Sequence, residues 1–69
     1  MENKLESVRK AVEGFKFSAH LANDDTIVIK NKKGQIAATV TADGVEQKYV
    51  GQRNMCGSLV RDAIKAAIA

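Results

Sequence analysis

Cys56 and His20 are the chain's one cysteine and one histidine, and so its most obvious nucleophile and neutral-pH base. To work as a pair they would have to lie within hydrogen-bond reach. Their sequence contexts argue otherwise. Cys56 falls among apolar residues spaced along one face of a helix, whereas His20 alternates with Phe17, Ala19 and Leu21 and so points away from them. The two are expected on opposite sides of a sheet, with Cys56 a packed, inert thiol. One Cys and one His also exclude a zinc cluster and an intrachain disulfide. The acidic "NDD" at 23–25 cannot reproduce the alternating ligand spacing of a calcium loop and reads as a turn. "KNKKGQ" at 30–35 lacks the spaced glycines and GK[ST] ending of a phosphate loop, and neither "ADG" nor "GQRNMCG" carries a dinucleotide glycine pattern. The expectation is a protein that is not an enzyme and has no cofactor or metal.

The residues best placed to contact something are cationic. Lys30, Lys32, Lys33, Lys48 and Arg53 lie in the middle and late parts of the chain, and with 11 Lys and Arg against 8 Asp and Glu the net charge is +3. Such a charge suits an anionic partner without requiring one. Lysines at a hairpin tip also keep a chain soluble and discourage edge pairing.

These side chains need elements to hold them, and 69 residues make one domain, residues 1–69. A core of this size supplies only about 3–5 kcal/mol of net stability, so packing or self-association into a homodimer has to compensate for the missing disulfides. No stretch approaches the roughly 18 apolar residues of a membrane span. The first residues alternate charged and apolar, unlike a secretory signal. A cytoplasmic (intracellular) protein is expected, and a short chain opening at Met1 fits a complete bacterial or phage gene product.

Leu5, Val8, Val12 and Phe15 recur at helical spacing over residues 3–14, with Asn3 as N-cap, Glu6 completing a capping box and pairing with Lys10, and Gly14 as the stop. From Phe17 the period becomes two. Strands are expected through Phe17, Ala19 and Leu21 and at 26–31, 35–41 and 45–50, with Asp43-Gly44 as a two-residue hairpin loop. Cross-strand parity then selects one meander. Its inner face holds Phe17, Ala19, Leu21, Ile27, Ile29, Ile36, Ala38, Val40, Val45 and Tyr49, with Gln47 the one polar intruder. Its outer face shows His20, Val28, Thr39, Lys30, Lys48 and Val50. In this register Ala38 pairs with Tyr49, Ala37 with Val50, and Lys48 lies beside Thr39. Cys56, Leu59, Val60, Ala63, Ile64, Ala67 and Ile68 make the apolar stripe of a closing helix over 54–68, capped by Asn54 or Ser58. The fold class is α+β: a two-layer sandwich, α-β-β-β-β-α, with a four-stranded antiparallel meander and two helices on one face.

Two nucleic-acid folds bear comparison. RNA-recognition motifs stack bases on sheet aromatics, whereas Phe15, Phe17 and Tyr49 are all expected to face the core here. The alanine-rich "GSLVRDAIKAAIA" at 57–69 resembles the closing helix of double-stranded RNA-binding domains. That helix opens with a basic cluster where this chain has Leu59 and Val60, and it follows three strands rather than four, so the chain is not assigned to the family. The functional expectation is a small binding module, a regulator or inhibitor acting by protein–protein contact with a larger, possibly host, machine. Its contact residues would be His20, Val28, Thr39 and the five cations. The alternative is a nucleic-acid-binding protein using the basic hairpin and open sheet face.

Overall fold

The computed structural model describes residues 2–69. Two helices, α1 (Glu2–Glu13) and α2 (Ser58–Ile68), flank a meander of β1 (Ser18–Asn23), β2 (Thr26–Lys30), β3 (Ile36–Thr41) and β4 (Gly44–Gln47). The strands lie in chain order in one antiparallel sheet. A second two-stranded ribbon, β5 (Tyr49–Val50) with β6 (Arg53–Asn54), precedes α2. The expected α+β sandwich, both helices on one face, is the observed fold.

The core follows from the periods. Val8 and Val12 from α1 and Val60 and Ile64 from α2 close over Ala19, Ile27, Ile29, Ala38 and Val40 from the sheet, and Cys56 is buried among them. Between β1 and β2 the pairs Ala19–Ile29, His20–Val28 and Leu21–Ile27 match the expected register. Leu21, near the end of an edge strand, is nonetheless exposed.

Elsewhere local geometry departs from parity. β2 and β3 keep Ile29 opposite Ala38, but Lys30 then pairs with Ile36, leaving Ala37 as the extra residue of a bulge. The bulge reverses the faces that follow. Ala37, expected outside, is fully buried, and Ile36, expected inside, is 41% exposed. The β3–β4 loop is Ala42-Asp43 rather than Asp43-Gly44, because Thr41 pairs with Gly44 and Val40 with Val45. The shift is two residues, so no side chain changes face. It forms a Val–Val cross-strand pair and sets Gln47 opposite Ala38, where its Nε2 donates to the Gly57 carbonyl at 3.3 Å.

The expected strand 45–50 divides at Lys48. Its N–H still donates to the Ala37 carbonyl (2.9 Å), but its own carbonyl accepts from the Met55 N–H (3.0 Å). The extended chain therefore exchanges β3 for β6 as its partner. Tyr49 and Val50 leave the sheet, at 58% and 63% exposure. Lys48 does not lie beside Thr39, which pairs with Glu46.

Both helix ends also differ from expectation. α1 already includes Asn3, so Asn3 is not its N-cap, and Glu6 meets Arg9 (4.0 Å) rather than Lys10. The left-handed residue that ends α1 is Lys16 (φ 70), not Gly14. Lys16 N–H donates to Glu13 and Phe17 N–H to Val12, the paired bonds of a Schellman turn. The turn brings Phe17 onto the core and swings Phe15 out to 41% exposure. α2 starts at Ser58 behind Gly57 (φ 84), with no side-chain cap. The Asn54 Oδ1 instead accepts from the Cys56 and Gly57 N–H groups. Leu59, expected in the stripe, is exposed in the first turn of α2.

Candidate functional site

Three of these irregular segments converge. The Schellman turn after α1 supplies Phe15, Lys16 and Phe17. The β2–β3 tip supplies Lys32 and Lys33. The β5–β6 ribbon and the residues after it supply Arg53 and Met55. Together they line a cleft of about 520 Å³. Lys16, Lys32, Lys33 and Arg53 are all exposed, and no carboxylate is among the lining residues. Four cations around two aromatic rings make a locally positive, partly apolar concavity, although the net charge is only +3.

Each wall has a local cause. At the β2–β3 tip, Asn31 organises the turn from both ends of its amide. Its Oδ1 accepts from the Lys33 and Gln35 N–H groups (2.9 and 3.0 Å), and its Nδ2 donates to Gln35 Oε1. The Asn31 N–H bonds the Gln35 carbonyl, the Gly34 N–H bonds the Asn31 carbonyl, and Gly34 takes the left-handed φ of 79 that glycine adopts without strain. Lys32 and Lys33 are thereby held at the apex of a well-bonded loop. In the ribbon, Gly51 (φ 64) opens a two-residue loop that lets Val50 pair with Arg53.

The expected contact residues separate into two surfaces. Lys32, Lys33 and Arg53 line the cleft. His20, Val28 and Thr39 lie on the outer sheet face, where cross-strand pairing forms the row His20–Val28–Thr39–Glu46. Lys30 sits on that face between Ser18 and Ile36. Lys48 is exposed at the junction of β4 and β5 and lines neither. Sequence reasoning missed Lys16, Phe15 and Phe17 as site residues. Their signal was the change of period at 14–17, which marks a reversal of the chain rather than a continued face.

The chemical candidates stay apart. His20 Nε2 lies 3.1 Å from Ser18 Oγ on the open face, while Cys56 is buried among core residues. Burial raises the Cys56 thiol pKa above its ordinary value, and a hydrogen bond with Gln47 and the charge of Arg61 oppose that shift only in part. The thiol is therefore protonated at neutral pH and a poor nucleophile. Among the described residues no group of three His, Cys, Asp or Glu side chains is placed to hold a metal ion, and no helix is long and apolar enough to cross a membrane. A second recess of about 330 Å³ between α1 and β1 mixes Glu6 and Glu13 with Arg9 and Lys10, so its charges offset one another.

Comparison with protein-family models, curated proteins and solved structures yields no match to this chain. The cleft is read from its own chemistry.

Proposed function

We propose that this protein is a small non-enzymatic binding module whose contact surface is the cationic cleft, and that it acts as a regulator or inhibitor by occupying an anionic site on a larger partner. One observation carries this reading: four cations from three separate segments share a concave surface with Phe15 and Phe17, with no carboxylate in the lining. Paired charges on a surface contribute little. Like charges gathered around an open apolar floor repel one another, and an anionic partner relieves that repulsion while covering the rings.

The test compares two charge reversals of equal size. Lys32→Glu with Lys33→Glu alters the cleft. Lys10→Glu with Lys65→Glu alters exposed positions on the two helices. The wild type is expected to bind an immobilised polyanion such as heparin, the cleft variant to elute at much lower salt, and the helix variant to elute close to wild type once its net charge is allowed for. Equal losses in both variants would reduce the cleft to a share of overall charge and overturn the proposal.

A further inference from the structure

We propose that the occupant of the cleft is single-stranded nucleic acid, with a base stacked on Phe15 and backbone phosphates on Lys16, Lys32, Lys33 and Arg53. The inference rests on the reading that the cleft is the binding surface, and it names the partner's class.

Phe15 stands 41% exposed because the Schellman turn holds it out of the core, next in sequence to a cation whose left-handed backbone the same turn requires. A partly exposed phenyl ring beside positive charge is the combination that non-specific single-strand binders use, since every base has a π-face. An acidic peptide would satisfy the cations but has no planar group for the ring. A duplex would satisfy the cations too, but its bases are stacked inside and cannot reach Phe15.

The cations come from the turn at 15–17, the tip at 31–35 and the segment at 53–55, so they border the cleft on several sides. Spread donors suit a polyanion with regularly repeated phosphates better than one carboxylate cluster. The volume of about 520 Å³ lies within the range of small-molecule sites and is large enough for a nucleotide unit.

The side-chain amide oxygens in the lining, which could accept from base edges, are already engaged. Asn31 bonds Lys33, Gln35 and the Gln35 side chain, and Asn54 bonds Cys56 and Gly57. With those acceptors committed to holding the walls, stacking and charge dominate binding over base sequence.

The experiment measures fluorescence anisotropy with three labelled probes: a short oligothymidylate, a duplex, and a glutamate-rich peptide of equal charge. The oligothymidylate is expected to bind about tenfold or more tighter than the other two, with a log–log salt slope of about −2.8 for four phosphate contacts. Phe15→Ala and Phe15→Leu should each weaken it by about 5- to 150-fold, while Phe15→Tyr retains it. Circular dichroism on each variant confirms that the fold is kept. Equal or tighter binding of the peptide or duplex, or wild-type binding by Phe15→Leu, overturns the nucleic-acid inference and leaves the anionic-partner reading standing. Failure of all three probes together with the heparin matrix overturns both.

Discussion

The β2–β3 hairpin and the β5–β6 ribbon both reach the cleft, and they are built on opposite terms. β2 and β3 bury Ile27, Ile29, Ala37, Ala38 and Val40, and their tip is tied by the Asn31 bonds. The ribbon has two residues per strand, exposes Tyr49 and Val50, and joins the main sheet through the backbone of Lys48. One wall of the cleft is continuous with the core. The other meets the core at Met55 and is otherwise held by a few hydrogen bonds, each worth about 0.5–1.5 kcal/mol net. The wall bearing Lys32 and Lys33 is therefore preorganised, whereas the wall bearing Arg53 can adjust at low cost.

The comparison can be broken most directly by truncation. Ile27→Ala should cost about 2–5 kcal/mol, comparable with the whole stability expected of so small a core, and leave the chain largely unfolded. Val50→Ala should stay within about 0.5 kcal/mol of wild type. Urea denaturation followed by circular dichroism measures both, and similar losses would mean that the ribbon is part of the cooperative core. A smaller effect sharpens the contrast at the turn. Lys16→Gly relieves a left-handed backbone that disfavours side chains by about 1–2 kcal/mol, partly offset by glycine's greater chain entropy, so a gain of about 0.5–1 kcal/mol is expected in the same assay. The same substitution removes one cleft cation and should flatten the salt dependence of single-strand binding by about 0.7. A variant more stable yet weaker at binding would show that strain is retained at the site.

The smallest effect concerns Cys56. Because burial raises its pKa above the ordinary 9.0, the folded state holds the thiol proton more tightly than the unfolded chain does. That contribution is fully present below the unfolded pKa and is lost as pH rises through the folded one. The stability difference between wild type and Cys56→Ala should therefore narrow as pH rises above 9.0. A difference that stays constant would mean the thiol is not desolvated.

The legible part of the molecule is the part governed by period. The β1–β2 register could be read residue by residue, because alternation over 17–29 admits one pairing that keeps Ala19, Ile27 and Ile29 together. The β3–β4 shift was invisible, yet harmless, because a two-residue slip preserves parity. Parity puts Ile36 on the wrong face, since the bulge at Ala37 carries no glycine or proline to announce it. Phe15 was assigned to the core by extending the helical period through Gly14, whereas the chain turns at Lys16, a residue with no intrinsic preference for the left-handed region. Lys32, Lys33 and Arg53 stood out by charge type alone. Their assembly with Phe15 and Lys16 depends on that turn, which is why the site was visible only as scattered cations.

The bond from Arg9 Nε to the Ala19 carbonyl (3.2 Å) has a consequence for the protein in concentrated solution. β1 is an edge strand, "SAHLAN", with no lysine, proline or other charge of its own, the kind of border along which a neighbouring chain can begin an amyloid-like ladder. The guanidinium of α1 occupies one of the carbonyls that such a ladder would need. Colloidal stability is thereby tied to the docking of the first helix, so undocking α1 would uncover the core and a template for aggregation together.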